Sequence, residues 1–105
     1  MDRERLLAIH DEVCSDAKRI MDRKNHDYSG GGGPFDNFRG ASALGVDPKL
    51  GLLLRVMDKL MRVKTFIAKG ELKVQGEGVD DAIKDVVNYM VLLKGMIEED
   101  TNVQR

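Results

Sequence analysis

"DPKLGLLLRVMDKLMRVKTFIAKG", residues 47–70, is the stretch whose reading decides the fold. Asp47 suits a helix N-cap, because its carboxylate can accept from an amide of the first turn that has no intrahelical partner. Pro48 suits the first helical position, where its fixed φ is already helical and its missing N–H costs nothing. Gly70 suits the stop, since a left-handed residue ends a helix and glycine adopts that conformation without strain. Between these marks, Leu50, Leu53, Leu54, Met57, Leu60, Met61 and Ile67 recur at helical spacing but spread over more than half the circumference. A helix that meets one neighbour needs a narrower stripe. This pattern predicts a helix with more than one.

Two more helices flank it. From Arg3 to about Asn25, apolar residues at Leu6, Ile9, Val13, Ala17, Ile20 and Met21 follow a 3.6-residue period with no Gly or Pro between them. From Val79 to Glu99 the stripe is Val79, Ile83, Val86, Met90, Leu93 and Ile97, joined towards the end by Tyr89, Val91, Leu92 and Met96 on other faces. "FDNFRGASALG" predicts a short helical turn packed through Phe35 and Phe38. No strand alternation and no internal repeat occur. The expected fold is all-α, a single domain over residues 1–105, with three long helices plus one short helical turn. The surplus apolar surface on the second and third long helices predicts that a homo-oligomer completes the core.

Composition narrows the classes. The chain has 105 residues, 42% hydrophobic and 33% charged, with 17 Lys+Arg against 18 Asp+Glu and a net charge of −1. That balance does not point to nucleic acid or a membrane surface. No apolar run reaches the roughly 20 residues that cross a bilayer, and "MDRERLL" does not read as a signal peptide. One cysteine, Cys14, rules out an internal disulfide and suits a reducing cytosol. A cytoplasmic protein is expected.

The chemistry concentrates in "GEGVDDAIKDVVNY", residues 76–89. Asp81 and Asp85 lie one turn apart on one side of the third helix, Asn88 follows, and Glu77 sits just before the helix where the dipole favours an anion. Two carboxylates so placed repel unless a cation lies between them, and oxygen donors suit Mg²⁺ or Mn²⁺. The alternative is ordinary: acids of a first turn cap helices, and this side lies opposite the expected apolar stripe. On the second helix Arg55, Asp58 and Arg62 share a narrow polar face flanked by Lys59, either a solvated i,i+4 pair or a metal ligand with cations for a polyphosphate. His10 reads as solvated, His26 in "NHDY" as an imidazole whose tautomer Asp27 fixes or as the approach to a turn that Asp27 begins, and Cys14 as a small core residue.

The glycine run in "KNHDYSGGGGPFDNFR", residues 24–39, is not followed by Lys-Ser/Thr and no strand precedes it. It reads as a hinge over residues 29–34, between Asp27-Tyr28 and Asn37-Phe38, and not as a phosphate cradle.

In order, "DYS", "FDNF", "DKLMR" and Glu77-x-x-x-Asp81-x-x-x-Asp85-x-x-x-Tyr89 span nearly the whole chain. Together they resemble a phage and bacterial family of small helical proteins, nucleotide modification associated domain 1. That family is similar to the all-α nucleoside triphosphate pyrophosphatases, the group of MazG and the dimeric dUTPases. The resemblance implies a dimer or tetramer that binds Mg²⁺ (or Mn²⁺) and cleaves an ordinary or modified (deoxy)nucleoside triphosphate to monophosphate and pyrophosphate. It implies metal ligation by Asp58, Glu77, Asp81 and Asp85, with Glu77 or Asp85 positioning the water. Arg55, Lys59 and Arg62 would take the phosphates, and Asp27, Tyr28, Asn37 and Phe38 the nucleoside. One departure matters: the wider group typically carries Glu-x-x-Glu on the second helix, where this chain has Arg55-x-x-Asp58. An acid replaced by a base leaves room for a protein that binds nucleotide without cleaving it, such as a phage sponge for a signalling nucleotide. A purely structural helical oligomer is the remaining alternative.

Overall fold

The computed structural model describes residues 1–28, 33–71 and 78–104, and their side chains apart from those of 25–28, 36–37, 41 and 102–104. The described chain is helical throughout its ordered elements: α1 (Arg3–Tyr28), the single turn α2 (Asp36–Arg39) running into a 3-10 turn (Gly40–Leu44), α3 (Pro48–Lys69) and α4 (Val79–Gln104). No strand occurs among the described residues. The all-α architecture is as the periodicity requires.

The punctuation of α3 is as expected. Asp47 is extended, at φ −60° and ψ 127°, and its carboxylate accepts from the Lys49 amide at 2.9 Å. Pro48 opens the helix, and Gly70 closes it in the left-handed region at φ 77°, its amide donating to the Phe66 carbonyl. Two ends differ from expectation. Helix α1 continues to Tyr28, so Asp27 and Tyr28 belong to its last turn, and α4 continues past Glu99 to Gln104.

Helix α4 is the middle element, with α3 along one side and α1 along another. Its inward line runs through Ala82, Asp85, Tyr89 and Met96. Ile83, Met90 and Ile97 of the expected stripe are exposed. The helix is therefore turned by about one residue from the orientation its apolar pattern alone would choose. Packing against two neighbours explains this: Ala82 (1% exposed) and, on α1, Ala17 (1%) are both buried, and Asn88 Nδ2 donates to the Ala17 carbonyl at 2.9 Å across the α1–α4 contact. Lys84 reaches Asp16 on α1 at 3.3 Å.

The α2 corner is fixed to the other end of α4. Phe35 lies against Gly95, where a Cβ would sit 2.8 Å from the ring's Cζ, so only glycine admits the ring in this position. Arg39–Glu99 and Lys49–Asp100 ion pairs flank it.

The core that results is small. Buried apolar side chains among the described residues are Ala17, Leu52, Val56, Ala82 and Met96. Leu50, Leu53, Leu54, Met57, Leu60, Met61 and Ile67 of α3 are all exposed. The radius of gyration, 15.8 Å, exceeds the roughly 13 Å expected of a compact globule of this length. Cys14, expected in the core, is exposed on α1 with Sγ 3.7 Å from His10 Nδ1.

Candidate functional site

Three charged residues stand on the inward lines of three different helices. On α1, Lys24 follows Ala17 and Met21 at i+7 and i+3. On α3, Lys59 follows Leu52 and Val56 at i+7 and i+3. On α4, Asp85 follows Ala82 at i+3. Helical geometry puts each of them on the side of its helix that meets a neighbour. They converge: Lys59 Nζ lies 2.9 Å from Asp85 Oδ2, and Lys24 Nζ lies 4.0 Å from Asp85 Oδ1. The Lys59 and Asp85 side chains are only 18% and 19% exposed, whereas Lys24 is 57% exposed. A half-buried carboxylate thus has one tight cation and one solvent-facing cation, a node of two positive charges and one negative at the meeting of α1, α3 and α4.

Read as an ordinary acid opposite the apolar stripe, Asp85 belongs on the solvent side of α4. The turned orientation of the helix brings it inward, and that half-burial makes it more than a solvated acid. Asp81, one turn earlier, stays exposed and accepts from the Gly78 amide at 3.2 Å, which is half of a capping box. The capping alternative for Asp81 is realised, and its second carboxylate oxygen is not used by that bond.

The α3 candidates divide. Lys59 turns towards α4. Arg55, one turn earlier, is exposed and lies over the Phe38 ring, with Cζ 4.8 Å from the centroid, so these two candidates meet each other. A guanidinium over an aromatic face is a favourable cation–π arrangement, which accounts for a base at the position where the resemblance implies an acid. One face of Phe38 is consequently covered by Arg55 and not open for stacking. Asp58 is exposed and Arg62 half-buried. Glu77 lies outside the described residues, as do the side chains of Asp27, Tyr28 and Asn37 and the glycine hinge over 29–32.

Among the described residues no three His, Cys, Asp or Glu side chains form a group that could hold a metal ion. Of the implied ligands on α4, Asp81 is exposed and caps the helix while Asp85 is paired with Lys59 and Lys24, so the described residues present oxygen donors of the kind Mg²⁺ takes but no assembled cluster. A cavity of about 240 Å³ at the α2–α3–α4 corner, lined by residues including Phe35, Arg39, Lys49 and Met96, and a wider one of about 630 Å³ along α1, lined by Ser15, Lys18, Arg19, Met21 and Asp22, are not lined by Lys24, Lys59 or Asp85. The site is assigned on charge and burial, not on concavity.

Lys24 was not singled out in the sequence, yet a signal existed: it lies in register with Ala17 and Met21 on an apolar stripe, where a lysine must find a partner or reach solvent.

Fold and site together define an all-α helical bundle with a charged node where its three long helices meet. In comparison with known proteins, the chain matches no family model, no curated protein and no solved structure. No helix among the described residues is long and apolar enough to cross a membrane.

Proposed function

We propose that this chain is a nucleotide pyrophosphohydrolase that works as a homo-oligomer, dimer or tetramer, in the cytoplasm of a bacterium or phage-infected host. It takes an ordinary or modified (deoxy)nucleoside triphosphate at the Asp85 node and releases monophosphate and pyrophosphate. The observation that supports this most is the half-buried Asp85 held between Lys59 and Lys24. Two ammonium groups beside one carboxylate give a net positive surface for phosphate oxygens, with an acid close enough to act on the same atoms.

Lys59 and Lys24 bind and orient the polyphosphate, and Lys59 leaves Asp85 as it takes phosphate. Asp85, released, accepts a hydrogen bond from the attacking water and holds it in line with the scissile P–O bond. Asp81 and Asp85, with Asp58 and Glu77 as the further carboxylates the resemblance implies, would hold Mg²⁺ or Mn²⁺, which would supply charge neutralisation and lower the pKa of a water. Arg55 and Arg62 add positive charge along the same helix. Asp27, Tyr28, Asn37 and Phe38 would meet the nucleoside.

A specific observation favours a second reading. Lys59 already neutralises Asp85, and Arg55 stacks on Phe38 where an acid would serve a second metal, so binding without cleavage is also consistent with this site. Incubation with a panel of dNTPs and Mg²⁺, with the products separated, distinguishes the two. Pyrophosphate release that disappears in Asp85→Ala supports the enzyme. Tight nucleotide binding without turnover supports the binding protein. Absence of both leaves a structural helical oligomer.

A further inference from the structure

The apolar surface that α3 leaves uncovered has an order that identifies its occupant. The line Asp47, Leu50, Leu54, Met57, Met61, Lys64 runs straight down one side of the helix, with steps of 3, 4, 3, 4 and 3 residues. That is the alternation of a coiled-coil seam. Its four apolar members are 58%, 61%, 60% and 57% exposed in chain order, while Leu52 and Val56 on the side facing α4 are 0% and 6%. Asp47 and Lys64 are exposed as well.

The spacing reads the same from either end, and the two ends carry opposite charges. A second identical helix laid antiparallel therefore meets it in full register: Leu54 against Met57 of the partner subunit, Leu50 against the partner's Met61, and Asp47 against the partner's Lys64. Laid parallel, the same seam places Asp47 beside the partner's Asp47 and Lys64 beside the partner's Lys64, which is repulsive at both ends. The Asp47 carboxylate caps α3 through the Lys49 amide and lies 3.3 Å from the Lys49 ammonium through the same oxygen; its other oxygen can accept a further donor. Leu53 and Leu60 widen the seam on one side, and both are exposed.

We propose that the partner covering α3 is a second copy of this chain, packed α3 against α3 antiparallel about a two-fold axis between Arg55 and Val56. The arrangement is isologous, so it closes at two chains and does not propagate. It gives a definite form to the homo-oligomer of the functional reading, but it does not depend on what the Asp85 node binds.

The test uses the full chain in sedimentation velocity, with a spin-label distance as an independent measurement. Lys69→Cys in a Cys14→Ser background puts one nitroxide near the end of each α3. The antiparallel register separates the two labels by about 40 Å, because each lies about 13 residues from the axis at 1.5 Å per residue. A parallel pair places them within about 20 Å. The expected result is a dimer with the long distance, whose dissociation constant rises about tenfold in Lys64→Glu. A short distance overturns the antiparallel packing. A long distance with Lys64→Glu without effect overturns the register. A monomer at high micromolar concentration overturns the interface and the homo-oligomer together, while the nucleotide reading still stands or falls on binding and turnover alone.

Discussion

Replacing Lys59 by Met is the most informative single change, because it keeps most of the side chain's volume and removes only the charge that faces Asp85. At an effective dielectric constant of about 20, unit charges 2.9 Å apart attract by roughly 6 kcal/mol. Most of that is cancelled by the cost of taking both groups out of water, since each keeps only about a fifth of its surface exposed. Pairs at the surface are worth about 0–1 kcal/mol, and removing one partner of a fully buried pair costs about 3–5 kcal/mol. A pair of this burial belongs between them, at about 1–3 kcal/mol, moderated because Lys24 remains 4.0 Å from Asp85. For a chain of this size a urea m-value near the low end of about 1–3 kcal/mol/M applies, so Lys59→Met should lower the unfolding midpoint by about 1 M. Lys69→Met, an exposed lysine on the same helix, is the control and should move it little. Asp85→Asn leaves Lys59 half-buried without its anion and should cost a similar amount. The double variant should cost clearly less than the two single changes added together. Nucleotide binding is the second measurement: Lys59→Met weakens it about tenfold or more, equivalent to about 1.4 kcal/mol, whereas Asp85→Asn retains binding and loses turnover. If Lys59→Met unfolds no more easily than Lys69→Met and the double-variant effects are additive, the node is not a coupled pair and the site assignment fails.

Three further outcomes follow from particular contacts. Leu52→Ala should destabilise by about 2–5 kcal/mol at every protein concentration, because Leu52 is fully buried inside one chain; Leu54→Ala, two residues on but exposed, should show a loss in thermal melting that depends on protein concentration. Gly95→Ala should fail to deliver the roughly 0.5–1 kcal/mol that alanine normally gains inside a helix, since its Cβ meets Phe35, and should deliver it in a Phe35→Ala background, as paired denaturation curves would read. The Asp47 carboxyl is held below its ordinary value chiefly by the hydrogen bond from the Lys49 amide. Its contribution is therefore complete above the unfolded carboxyl value and lost as pH falls through the lower folded one. Asp47→Asn, which caps but does not titrate, should flatten the acid limb of stability against pH relative to wild type.

Local chemistry accounts for much of this molecule. Asp47, Pro48 and Gly70 act through their own side chains, ring and φ preference, so both ends of α3 are legible residue by residue. The turn through Phe35 and Phe38 and the existence of α1 and α4 are legible for the same reason: helical periodicity is a property of nearest neighbours along the chain. The excess of apolar positions on α3 is equally visible as a count around a circle, and the structure leaves that surface open.

Which way each helix faces is a different kind of fact. The pattern of α4 favours Ile83, Met90 and Ile97 inward, yet Ala82, Asp85 and Met96 are the residues turned in. Ala82 and Ala17 are both buried, and Asn88 ties α4 to the Ala17 carbonyl of α1. That rotation carries Asp85 from the expected solvent side to Lys59 and Lys24. The sequence by itself determined the helices, their caps and the presence of acids and bases at helical spacing, because those depend on residues within one turn of each other. Only the tertiary structure decided which acid meets which base, because Lys24, Lys59 and Asp85 belong to three separate helices whose relative rotation is set by packing.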